Sequence, residues 1–116
     1  MKSEERQLDI YDNLMKHFEK LSEVVPDAHS AQYTLRDAVY KDGALSRKFK
    51  RLIAMAVALG LGCTPCIIWQ TKQAVEDGAS KEEVLEAASV LLAIHGTSGY
   101  AEGWRVVKVL EELGMV

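Results

Sequence analysis

The sequence predicts an all-α fold, a helical bundle of about six helices. Three observations carry this. Apolar residues recur at helical spacing in one segment after another. No run shows the period-2 alternation of a half-buried strand. Chain breakers fall between the periodic segments: Pro26 and Pro65 are the only prolines, and most of the eight glycines stand at segment ends. With 116 residues, the chain has the length of one domain, 1–116, without linker or repeat.

The first segment, about Ser3 to Val24, places Leu8, Tyr11, Leu14, Met15, Phe18 and Leu21 on one helical face. Pro26 stops it, because the residue before a proline avoids helical angles. A second helix is expected over Ala28 to Tyr40, closed by the turn Lys41-Asp42-Gly43. Ser46 can cap a third, Arg47 to about Leu61. The body of that helix, Leu52 to Leu59, is apolar nearly all round, as in a helix buried on most faces or set in a subunit interface. Gly62 ends it. Thr64 then serves as N-cap and Pro65 as first helical residue of a fourth helix, which runs to Asp77 and stops at Gly78. Ser80-Lys81-Glu82-Glu83 has the form of a capping box for a fifth helix carrying Val84, Leu85, Ala88, Leu91 and Leu92 to His95. Gly96-Thr97-Ser98-Gly99 breaks it. A sixth runs from about Tyr100 to Leu113, with Trp104, Val107 and Leu110 on one face.

Charge narrows the function classes. The formal net charge of -3 leaves no basic footprint for nucleic acid and no polybasic membrane patch. The charged opening Met1 to Arg6 precedes no apolar signal core, and the longest apolar run, Leu52 to Gly62, falls short of the ~20 residues of a membrane span. The expected compartment is the cytoplasm. There a close cysteine pair points to metal binding or catalysis more than to a static disulfide.

Cys63-Thr64-Pro65-Cys66 holds the only two cysteines. Three readings are open: buried structural thiols, half of a zinc site, or a redox pair. Zinc takes about four ligands, and His17, His29 and His95 offer no matching spacing. The redox reading has a mechanism. Cys66 falls in the first turn of the fourth helix, where free N–H groups and the positive end of the helix dipole favour thiolate. A neighbouring thiol then resolves a mixed disulfide. No strand precedes the pair, so a thioredoxin fold does not fit.

The stretch Arg51 to Ile67, continuing through Ala74 to Ala87 and preceded by Gly43-Ala44-Leu45-Ser46, resembles the AhpD-like, carboxymuconolactone decarboxylase family over roughly residues 35–113. The resemblance implies an all-helical fold assembled as homotrimers or homohexamers. For members with the cysteine pair it implies an alkylhydroperoxidase or disulfide reductase, acting on peroxides or partner disulfides and recharged by a thiol electron donor, protein or small molecule. It needs no cofactor beyond the thiols. It further implies that Cys66 attacks and Cys63 resolves; the residues alone leave that order open. The family's redox members have Glu twelve residues before the first cysteine and His four after the second. This chain has Arg51 and Gln70 there. Neither exchanges a proton near neutral pH. Arg51 could instead favour the thiolate electrostatically; the plainer alternatives are a surface cation at Arg51 and a solvated amide at Gln70.

His95 would supply a base if the fold brings it to the cysteines, or else cap helix carbonyls. His17 and His29 read as surface residues, and Trp69 and Trp104 as core or interface. Tyr100 has no assigned place. Arg47, Lys48, Lys50 and Arg51 could draw an anionic substrate, or form a solvated face. Two other function classes stand beside the redox enzyme: a non-enzymatic oligomeric binding protein on the same fold, and a metal-binding module.

Overall fold

The computed structural model describes residues 5–116, and the expected helix start at Ser3 lies outside them. Six helices follow in order: α1 Gln7–Val24, α2 Pro26–Val39, α3 Arg47–Leu61, α4 Thr64–Glu76, α5 Lys81–His95 and α6 Thr97–Glu112. Among the described residues there is no strand, and no helix is long and apolar enough to cross a membrane.

Local chemistry sets most boundaries. Ser46 accepts the Phe49 N–H at the start of α3, and Ser80 and Glu83 complete a reciprocal capping box at the start of α5. Gly62 is left-handed (φ 68°). Its N–H bonds to Leu59 O while the Cys63 N–H reaches back to Ala58 O. This paired C-terminal closure needs a residue without a Cβ penalty at its pivot. The same pair of bonds, Gly78 to Val75 and Ala79 to Ala74, closes α4. At α1 no side chain of its own caps the helix; the Glu112 carboxylate at the end of α6 accepts the N–H groups of Gln7 and Leu8, both at 2.8 Å.

Two boundaries differ from expectation. α2 begins at Pro26 itself, because proline's fixed φ and missing N–H suit a first helical position; a single residue, Val25, separates it from α1. α6 begins at Thr97, because Gly96 alone makes the break (φ 60°, ψ -129°). With that register the inner face of α6 is Val106, Val109 and Leu110, all fully buried. Trp104 and Val107 are partly exposed, so the expected face of Trp104, Val107 and Leu110 is buried only at Leu110.

α3 and α4 form the antiparallel centre. α5 and α6 pack on one side, and α1 packs on α4 and α6. Leu52, Met55 and Leu59 of α3 meet Ile67 of α4, Val84 and Leu91 of α5 and Leu110 of α6 in the core. Gly99 lets α6 close on α5: a Cβ there would stand 3.3 Å from the Leu92 Cα. α2 buries no residue, and its backbone comes close to that of α1 alone among the helices. The radius of gyration, 14.8 Å, exceeds the ~13 Å of a compact chain this long, as a flank attached on one side requires.

Candidate redox site

The hairpin between α3 and α4 builds the site. Cys63 is the residue after the left-handed Gly62 and also the residue before α4. Its N–H closes α3 on Ala58 O, and its carbonyl accepts the Ile67 N–H that opens α4. Both cysteines are therefore held by backbone on rigid elements. Cys63 takes the N-cap place expected of Thr64, because the closure of α3 leaves Cys63 extended (φ -87°, ψ 95°). Thr64 is the first helical residue and Pro65 the second. Cys66, in the third place, keeps a free N–H in the first turn. Cys63 and Cys66 are joined by a disulfide, with their Cα atoms 5.2 Å apart.

The two sulfurs differ in access. Cys63 is half-buried and Cys66 exposed. Cys66 opens into a groove of about 620 Å3 walled by Tyr40, Ile53, Val57, Leu61 and Gln70. The walls are mostly apolar, so an organic substrate fits them better than water does.

Arg51 and Gln70 come together. The Arg51 Nη1 donates to Gln70 Oε1 at 3.1 Å. Its Nε lies 3.4 Å from Asp77 Oδ2, and its guanidinium stacks on Tyr40 at 3.7 Å from the ring centre. Arg51 is only 7% exposed and Gln70 is half-buried, so neither is the surface group that its position on a helix allows. Gln70 stands one turn below Cys66 on the same face of α4. The two positions where the family carries proton-exchanging groups thus hold a hydrogen-bonded pair that exchanges none.

The remaining candidates are placed as follows. His95 is exposed at the end of α5; its ring lies against Gly60, and the Ser98 hydroxyl donates to its carbonyl at 3.0 Å. His17 is exposed and bonds to Asn13 O. His29 is half-buried between Phe18 and Tyr33, not a surface residue. Trp69 packs edge-on to Tyr11 and Phe18, while Trp104 is half exposed beneath Arg105. Tyr100 is exposed. The basic run is mostly committed within the fold: Arg47 pairs with Asp77, Lys48 with Glu83, and Lys50 donates to the carbonyls of Val39 and Lys41. Among the described residues no three His, Cys, Asp or Glu side chains gather to hold a metal.

Three features escape the sequence. Asp77 anchors both Arg47 and Arg51. Glu102, on α6, accepts from Thr64 between the two cysteines at 3.4 Å and is held by Arg105. Arg36 stacks on Trp69. Apart from the local Glu102–Arg105 pair, these partners lie far along the chain, and no local pattern announces them.

Comparison with known proteins accords with this architecture. A profile of the carboxymuconolactone decarboxylase family matches residues 26–109. The "uncharacterized protein 4 in cox locus" of Paracoccus denitrificans is 37% identical over 79 residues, 68% of this chain and 71% of its own length. An uncharacterized protein of Cupriavidus necator is 32% identical over 84 residues, 72% of this chain and 74% of its own. Among solved structures, a carboxymuconolactone decarboxylase family protein of Legionella pneumophila superposes with a TM-score of 0.82 at 28% identity, covering 93% of this chain and 94% of that one. A Thermotoga maritima protein of the same family, for which a part in an antioxidative response has been suggested, gives 0.75 at 31% identity, covering 87% and 89%.

Proposed function

The chain belongs to the carboxymuconolactone decarboxylase family, and from that premise we propose that it is a thiol–disulfide oxidoreductase of the AhpD-like type. The observation that carries the reading is the Cys63–Cys66 disulfide at the start of α4, with Cys66 exposed to an apolar groove.

In the reduced protein the Cys66 thiolate attacks one sulfur of a substrate disulfide and expels the other as a thiolate. The Cys63 thiolate then attacks the Cys66 sulfur and expels the second half. The substrate gains two electrons, and the protein is left with the Cys63–Cys66 bond. A hydroperoxide reacts by the same order: Cys66 takes the terminal oxygen as a sulfenic acid, the alcohol leaves, and Cys63 expels water. A dithiol donor, protein or small molecule, restores the pair. No cofactor enters these steps.

The order of attack rests on access. Cys66 faces the groove and stands in the first turn of α4, where free N–H groups and the helix dipole stabilise a thiolate; the half-buried Cys63 beside it resolves. With Arg51 and Gln70 in the relay positions, thiolate is favoured by fixed charge and dipole, not by proton exchange. The test is the pH dependence of alkylation of the reduced protein, compared with Cys63→Ser and Cys66→Ser. Reaction as thiolate well below the free-thiol value of ~8.5 supports the site. If both cysteines titrate like ordinary thiols, the oxidoreductase reading fails. Arg51→Met should move the alkylation midpoint of Cys66 upward; an unmoved midpoint removes Arg51 from the mechanism.

The hydrogen-bonded Arg51–Gln70 pair favours a second reading, a family member that keeps the fold as a non-enzymatic binding protein. A reductase assay indifferent to the double Cys→Ser change selects it.

The working form in our proposal is a homotrimer or homohexamer in the cytoplasm. The support is the apolar face that α2 and α3 leave open, with Leu35, Phe49, Ile53, Val57 and Leu61 each about half or more exposed. Sedimentation equilibrium showing only monomer at micromolar concentration would refute the assembly.

A further inference from the structure

The hydroperoxide branch of the proposed reaction needs a proton. A thiolate leaves a disulfide as a stable anion, and a carboxylate leaves a peracid likewise. An alkoxide is far more basic, and it leaves well only when a positioned acid protonates it as the O–O bond breaks. Arg51 and Gln70, in the relay positions, exchange no proton near neutral pH.

The wall of the Cys66 groove narrows the source. Among the described residues it holds no Asp, Glu or His, and Cys63 lies outside it; apart from Cys66, only Tyr40 and Lys50 carry a side chain that can give up a proton. Lys50 is committed, since its ammonium donates to the carbonyls of Val39 and Lys41. Of the other tyrosines, Tyr11 and Tyr33 line a second pocket, of about 250 Å3, that shares only Gln70 with the groove, and Tyr100 is exposed on α6.

Tyr40 is held in place by the elements around it. It ends α2, where its N–H bonds to Arg36 O at 2.9 Å. The carbonyls on either side of it are the two that Lys50 gathers, at 2.8 and 2.5 Å, so α3 pins the end of α2. The Arg51 guanidinium stacks on its ring, 3.7 Å from the centre, and Arg51 donates in turn to Gln70, one turn below Cys66. The hydroxyl alone is left over. Among the described residues it has no hydrogen-bond partner. Nor is it shut off from solvent, since Arg36 Nη1 is the only buried side-chain polar atom without a partner among those residues.

We propose that Tyr40 is the general acid of the hydroperoxide reaction. A phenol keeps its proton at neutral pH and is a far stronger acid than an alcohol. The Cys66 thiolate attacks the terminal oxygen, and the O–O bond breaks. Cys66 is oxidised by two electrons to the sulfenic acid, which keeps the proton of the hydroperoxide. The departing alkoxide takes the Tyr40 proton and leaves as the alcohol. The phenolate regains a proton from solvent, and Cys63 expels water from Cys66 as before. The assignment rests on the oxidoreductase reading, and it singles out organic hydroperoxides as the substrates for which the groove supplies more than a thiolate.

Two oxidants separate the proton from the thiolate: cumene hydroperoxide, which expels an alkoxide, and peroxyacetic acid, which expels acetate and needs no acid. Each is mixed with reduced full-length protein, and the loss of titratable thiols is followed in a single turnover. The same Cys66 thiolate attacks both, so the ratio of the two second-order rate constants, hydroperoxide over peracid, reads the acid alone. In Tyr40→Phe that ratio should fall at least about tenfold, positioned general acids being worth ~10²–10⁴-fold. Phenylalanine keeps the ring on which Arg51 stacks, so a merely structural role for Tyr40 leaves the ratio where it is. A smaller fall means that water protonates the alkoxide, and it overturns the proposal. If native protein reacts with neither oxidant faster than a free small thiol does, the oxidoreductase reading is what fails, and the assignment of Tyr40 falls with it.

Discussion

The α3–α4 hairpin is richer in apolar residues than the α1–α2 hairpin, and the two end in opposite conditions. α3 and α4 bury Leu52, Met55, Leu59, Ile67 and Ile68, and their junction is fixed by backbone hydrogen bonds around Gly62 and Cys63. α1 and α2 bury only Gln7 between them, and neither has a side-chain cap of its own. What holds the second hairpin is a stack of rings and cations, Phe18, His29, Tyr33 and Arg36 against Trp69. The chemistry therefore stands on the rigid hairpin, while the looser one supplies walls: Tyr40 to the Cys66 groove, Arg36 and Tyr33 to the second pocket.

The largest expected effect tests that contrast directly. Met55 is fully buried at the centre of the core. Met55→Ala should cost about 2–5 kcal/mol in urea unfolding, from lost transfer energy and the cavity left behind. Val24 at the end of α1 is 77% exposed, and Val24→Ala should stay within about 0.5 kcal/mol. Should Val24→Ala approach the cost of Met55→Ala, the end of α1 is packed in solution and the contrast fails.

The next effect, also on the rigid hairpin, falls at its pivot. Gly62 has φ 68°, and nothing lies within 4 Å of a Cβ placed there. Gly62→Ala thus pays no steric clash with neighbours, only the backbone penalty of the left-handed region, about 1–2 kcal/mol. Because Cys63 is bonded through the same turn, the variant should also change the midpoint of Cys63–Cys66 reduction in a dithiol titration. Stability loss with an unchanged midpoint would mean that the cysteines do not depend on the turn.

This contrast also marks what the sequence could tell. Signals that act within four residues were readable: Ser46, Gly62, Gly78, and the Ser80–Glu83 box all stand where local rules place them. The cysteine pair at a helix start was readable for the same reason. Pro26 was half readable, since a residue that must end one helix can equally begin the next, and only the packing of α2 on α1 decides. Composition does not tell which face of α6 is buried, because Trp104 and Val107 are as apolar as Val106 and Val109. Once Gly96 alone breaks the chain, the close fit of Gly99 on Leu92 sets the register. The site's side-chain pairings were out of reach. Arg51 meets Gln70 and Asp77 across 19 and 26 residues, and Thr64 meets Glu102 across 38. No periodicity records such distances, so Arg51 and Gln70 could be seen as departures from a family pattern but not as partners.

The smallest effects belong to the start of α5, where local chemistry acts alone. Ser80→Ala removes the acceptor for the Glu83 N–H and should cost about 1 kcal/mol. Glu83 answers by accepting the Ser80 N–H at 2.9 Å. The Lys48 ammonium first, and that backbone N–H second, hold the Glu83 carboxyl below its ordinary value of 4.5. A carboxyl lowered on folding stabilises the fold above its unfolded pKa, and the contribution disappears as pH falls through the folded one. Native protein should therefore be more stable than Glu83→Gln at pH 7, and the two should converge as the pH drops below about 4.5. Thermal unfolding of the pair across pH 3–7 reads this out. A difference that persists unchanged into acid would show that it comes from the poorer closure of the box by glutamine, and that the charge facing Lys48 adds nothing to it.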